Sequence, residues 1–149
     1  MKSTKSTLAV AVLLASSLVA QRTPATSATF TNFGTACGAD LNGTVSPTIQ
    51  ISLGVSNAAA NAFGFLAMGQ PATNPHPLPI GTCSALLDHR IFLGARFFMT
   101  DANGAATLNF RGVPPAGLNI SFQALVISLD RANRTITVDA TNGTTLVTQ

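Results

Sequence analysis

Tyrosine, tryptophan and glutamate are absent from this 149-residue chain, and its two lysines, Lys2 and Lys5, both stand at the very start. Each absence narrows the function. Nine phenylalanines are the only aromatics, so the exposed platforms on which sugars or bases stack are scarce. The arginines, Arg22, Arg90, Arg96, Arg111, Arg131 and Arg134, are scattered singly rather than striped, which argues against nucleic-acid binding. With no glutamate and with the aspartates falling mainly in predicted turns or beside strands, a paired-carboxylate glycosidase site has little to be built from. No glycine motif that could cradle a phosphate occurs.

What is present begins with MKSTKSTLAVAVLLASSLVAQ, a basic start, an apolar stretch from Leu8 to Ala20 and small residues at its end. That is the pattern of a secretory signal peptide. Its apolar run is about thirteen residues, short of the roughly 20 needed to cross a bilayer, and no later segment is long and apolar enough. We expect cleavage after Ala20, with Ala28 as the later alternative. Residues 21–29 then form a flexible leader and 30–149 a single domain, exported to the extracellular space or cell envelope. Both lysines leave with the signal, so the net charge falls from 8 − 5 = +3 to 6 − 5 = +1. Cys37 and Cys83 are the only cysteines, and an even count in an exported chain reads as a disulfide. It would close a loop of about 47 residues, worth on the order of 4 kcal/mol by chain entropy.

Abundant Thr and Val, without Lys or Glu in the mature chain, favours strands over helices. TIQISL (Thr48–Leu53) alternates cleanly, with Ile49, Ile51 and Leu53 on one face. AFGFLAMG is apolar on both faces and suits a central strand covered on both sides. QPATNPHPLP, with four prolines, predicts an extended loop. RIFLGARFFMT reads as a long strand bent at Gly94, and TDANGAA as the turn of a hairpin from Ile91 to Arg111. LNISFQALVISL is expected to enter the centre of the fold through a bulge; TITVDA and TTLVT follow, with TNG turning the chain between them. Seven or eight short strands describe an all-β, two-sheet antiparallel sandwich, Ig-like or jelly-roll-like.

Both histidines, His76 and His89, lie within PHPLPIGTCSALLDHRIF, beside Cys83, Ser84, Asp88 and Arg90. A Ser84–His89–Asp88 triad would need its members brought together from separate segments, and neighbours on an extended chain point to opposite faces. Zinc would need three or four ligands, whereas His76 and His89 are separated by a proline-rich loop. Asp101 and Asn103 in DANG resemble the start of a calcium loop, but a turn explains the same letters. No catalytic residue, metal or cofactor is therefore expected. Asp88, His89 and Arg90 are the candidate polar contact surface. The N-x-[ST] sequons at Asn42, Asn119, Asn133 and Asn142 are near chance in so Asn- and Thr-rich a chain.

FGTACG, NAFGFLAMG, PLPIGTC, TDANGAATLNF, GLNISFQALVIS and ATNGTTLV occur in that order between Phe30 and Val147. Together they resemble an exported β-sandwich domain of about 120 residues, common in secreted proteins of planctomycete bacteria. The resemblance implies that Cys37 and Cys83 are paired and that the module is non-catalytic. Here only Ile80, Gly81 and Thr82 separate PLP from Cys83, a shorter segment than many members have. The expected function is a structural or adhesive module of the cell surface or extracellular matrix, self-assembling or binding other surface proteins. The alternative is a carbohydrate-binding, lectin-like module using Asn, Asp and Gln in loops.

Overall fold

The structure, a computed structural model, describes residues 23–130 and 132–149, so the expected signal peptide, 1–20, lies outside the described residues. The strands are β1 (Ala28–Phe33), β2 (Asp40–Val45), β3 (Ile51–Ser56), β4 (Phe63–Pro77) and β5 (Ser84–Met99), followed by β6 (Ala106–Phe110), β7 (Asn119–Asp130), β8 (Thr135–Ala140) and β9 (Gly143–Thr148). They form the expected two-sheet antiparallel sandwich. The large sheet runs β1-β9-β7-β4-β5 with β8 also on β7, and the small sheet runs β2-β3-β6. Ahead of β1, Pro24 bridges Pro115 and Ala25 is buried.

Alternation decides which side each strand buries. Ile51, Leu53 and Val55 of β3 point into the sandwich between half-buried Ser52, Gly54 and Ser56. Leu41 of β2 and Leu108 of β6 join them, and the large sheet answers with Leu66, Phe122, Ala124, Val126 and Leu146. Each fully buried aliphatic side chain contributes roughly 1.5–3 kcal/mol, so this layer is the main source of stability.

The register corrects several expectations. The alternation predicted from Thr48 starts later, because Ile49 sits at φ 56° in a turn where its N–H donates to the Ser46 carbonyl at 2.9 Å. The predicted Ile91–Arg111 hairpin does not form. β5 pairs with β4, whereas β6 pairs with β3, setting Leu53 beside Leu108 and Ile51 beside Phe110. The Asp-Ala-Asn-Gly turn serves instead as the corner between sheets, and burying Leu108 against β3 decides the pairing. The TNG segment does not turn the chain back either. β8 and β9 both lie along β7, pairing with Leu125–Asp130 and Asn119–Phe122. Ala140 faces Leu125 and Thr144 faces Phe122, so one extra residue is accommodated there. The bulge expected in β7 thus belongs to its partner. The Thr141 hydroxyl mends the ladder by accepting the Ala124 N–H at 2.9 Å.

The proline-rich segment also departs from a plain loop. β4 continues to Pro77, pairing Pro71 with Leu87 and His76 with Ala85 through three register shifts, as prolines that cannot donate to a ladder would impose. At the bend Gly69 lies so near the Ile91 carbonyl that a Cβ would stand 2.6 Å from it. Beyond this bend the β4–β5 hairpin becomes an arm folded over the outer face of the large sheet. Gln123, on that outer face, is buried beneath it: its Oε1 accepts the Leu86 N–H at 2.8 Å, and its Nε2 donates to the carbonyls of Ser84 and Thr141, each at 3.0 Å. The Cys37–Cys83 disulfide pins the same place, with sequence separation 46. AFGFLAMG is therefore central but not covered on both sides, since the arm reaches Phe65 while Phe63 stays exposed.

Two substitutions test this packing. Gln123→Leu leaves the Leu86 N–H and two carbonyls without partners under the arm, and we expect a loss of about 2–4 kcal/mol in denaturant unfolding; a neutral result contradicts the clamp. Thr144 is fully buried on the core side and its Oγ1 has no hydrogen-bond partner. Thr144→Val should accordingly stabilise by about 1 kcal/mol, and destabilisation in the same assay would reveal a partner for that hydroxyl.

Candidate functional site

The sequence separates the two histidines by a proline-rich segment, yet the arm brings them together. His76 on β4 is opposite Ala85 on β5, and the His76 and His89 rings meet edge-on with centroids 5.5 Å apart. They line a shallow groove of about 230 Å³ with Thr73, Asn74, Asp88 and Arg90. Asp88 Oδ1 lies 3.9 Å from His89 Nδ1 and accepts the Arg90 N–H at 2.8 Å. Ser84 does not join them. It is opposite Pro77, one step from the His76–Ala85 pair and hence on the other face of the arm, where it lines a separate cavity of about 360 Å³ with Gly34, Cys37, Pro75, Cys83 and Leu86. The Ser84–His89–Asp88 set is thus not assembled as a catalytic relay.

Among the described residues no group of three or more His, Cys, Asp or Glu side chains is placed to hold a metal ion. At the DANG corner Asp101 Oδ1 accepts the N–H groups of Asn103 at 2.8 Å and Ala105 at 2.9 Å, so the carboxylate closes its own turn. Asp130, the last residue of β7, behaves similarly: hydrogen bonds from the Asn133 side chain and backbone hold its carboxyl below the ordinary value of 3.8. A depressed carboxylate stabilises above its unfolded pKa, and that support is lost as the pH falls through the folded value.

A further exposed surface among the described residues is apolar. On the outer face of the large sheet Met99, Phe63 and Ile127 are neighbours across β5, β4 and β7, with Phe97, two residues along, beside Phe65 and Leu125, and Leu129 opposite Ile136 on β8. The Phe63 and Phe97 rings stack at 5.5 Å. Phe65 and Leu125 are half-buried, and the other six run from 38% exposed for Ile127 to 67% for Phe97. Where the arm ends, Leu78, Pro79 and Ile80 overhang Phe65, Leu125, Ile127 and Val138 and enclose a wholly apolar cleft of about 280 Å³. Among the described residues β5 is the last strand of its sheet, with one edge unpaired. Sequence reasoning missed this face because RIFLGARFFM, AFGFLAMG, LVISL and TITV are apolar at outward positions only once their adjacency is known.

No family model, no curated protein and no solved structure matches the chain.

The polar groove is an exposed feature rather than a structural keystone. His89→Gln, at a side chain 69% exposed, should shift the unfolding free energy by no more than about 0.5 kcal/mol. A loss several times larger in thermal melts would show that the histidine pair holds the arm.

Proposed function

We propose that the protein is an exported, non-catalytic structural or adhesive module of the cell surface or extracellular matrix. The observation that carries this reading is the uncharged apolar face built from Phe63, Phe97, Met99, Ile127, Leu129 and Ile136. A contiguous patch of this kind marks a protein or membrane contact more often than an idle surface. The disulfide suits an oxidising compartment, and among the described residues no helix is long and apolar enough to cross a membrane. The amino-terminal signal pattern and the resemblance to exported planctomycete sandwich domains point the same way.

The polar groove of His76, Asp88, His89 and Arg90 is the competing contact surface. Co-sedimentation of the full chain, matured through an oxidising export route, with cell envelopes of the producing organism separates the two. We expect retention that falls at least about tenfold in Phe97→Gln and is unchanged in His89→Gln. Retention lost in His89→Gln, or released by free oligosaccharide, would replace the apolar face with the groove or with a glycan site.

A further inference from the structure

We infer that the bare half of the outer face is the interface of a two-fold symmetric dimer, and that the surface covering it is the same face of a second copy. This deepens the adhesive reading above and rests on it, because it names the partner that the face holds on the envelope as another copy of this chain.

Three observations select a second copy. The first is area. At roughly 150–250 Å² for an aromatic side chain and similar values for the aliphatic ones, the fractional exposures of the six residues correspond to on the order of 600 Å² of apolar surface. Two copies face to face would remove on the order of 1,200 Å², which reaches the lower bound of a stable specific interface, whereas 600 Å² is the upper end of what a monomer leaves open.

The second observation is shape. An isologous contact requires one surface to carry both the projection and the recess. Phe97 and Met99 project, at 67% and 65% exposed, and the 280 Å³ cleft beneath Leu78, Pro79 and Ile80 adjoins them through Ile127, which belongs to both. A side chain of one copy thereby gains an apolar recess in the other.

The third is charge. After cleavage at Ala20 the chain carries six arginines and five aspartates, 6 − 5 = +1, so two copies approach with little net repulsion. No charged side chain stands among the six. Arg96, on β5, is drawn away from them, donating to the Asn109 carbonyl at 2.8 Å and lying 5.5 Å over the Phe110 ring. Pairing through the free edge of β5 is the rival geometry, but it would extend the sheet and leave the apolar face in water.

Sedimentation velocity on the oxidised full chain, matured through export, tests the inference when run over a wide concentration range beside peroxide oxidation of Met99. A monomer–dimer equilibrium is expected, with Met99 oxidising more slowly in the dimer. Phe97→Gln and Leu129→Gln should each weaken dimerisation at least about tenfold with little change in melting temperature. Val113→Gln, at an exposed apolar residue of the β6–β7 connection, should not. A monomer at every concentration overturns the inference, as does a dimer indifferent to both face variants. So does a dimer whose β5 amides are protected from hydrogen exchange while Met99 oxidises at the monomer's rate, because that is edge pairing. A monomer still retained on envelopes through Phe97 would sink the dimer and leave the adhesive reading standing; a dimer that no envelope retains would do the reverse.

Discussion

A sheet of apolar strands has two faces, and each needs a cover. In this protein the small sheet covers the centre of the inner face, so Leu41, Leu53, Leu66, Val126 and Leu146 lose essentially all contact with water. The outer face is the constraint on which the rest depends, because β4, β5, β7 and β8 all present large apolar residues there. The chain meets it by bending the β4–β5 hairpin back over the sheet, and the arm reaches only part of the way.

Holding the arm requires more than apolar contact, since its strands are interrupted by prolines that weaken their own ladder. Two devices are placed near its tip, where Cys83, Ser84 and Leu86 follow the β4–β5 turn. Gln123 satisfies backbone groups on both the arm and the Thr141 irregularity, converting a buried amide from a liability into a clamp. The Cys37–Cys83 bridge ties the arm to the β1–β2 connection, where Cys37 also exchanges backbone hydrogen bonds with Ala140. Gly34 permits this approach, because a Cβ there would stand 2.6 Å from the Leu86 side chain. The histidine groove rides on the flank of the arm; the apolar cleft lies under its tip. Both candidate surfaces are therefore consequences of the same bend.

Local pattern carried the fold class. Alternation in β3 and β6, the two-sided apolar character of β7 and the pairing of the two cysteines were all legible, because each depends on residues adjacent in the chain or on a count of two. What was not legible depends on which strands become neighbours. Asp101, Asn103 and Gly104 make a good turn whether the flanking strands pair or part, so the β5–β6 hairpin was a natural expectation until β3 offered Leu108 a buried place. Thr141, Asn142 and Gly143 likewise read as a turn, although β7 is long enough to hold β8 and β9 end to end. The meeting of His76 and His89 needed the arm's register, which prolines disguise. Phe63, Phe97, Ile127 and Leu129 come from three strands, and only the sheet order turns separate apolar letters into one face.

Selective reduction of the Cys37–Cys83 bridge under native conditions, followed by residue-resolved hydrogen exchange, is the most direct measurement of this account. The arm is predicted to open locally: the Leu86 amide, bonded to Gln123, loses protection, while the core amides of β3 and of Phe122–Val126 in β7 keep theirs. Binding of an apolar dye should rise at the same time as Leu125 and Val138 lose their cover. Simultaneous loss of protection in arm and core, or an arm as protected after reduction as before, would contradict the claim that a pinned hairpin is what covers the outer face.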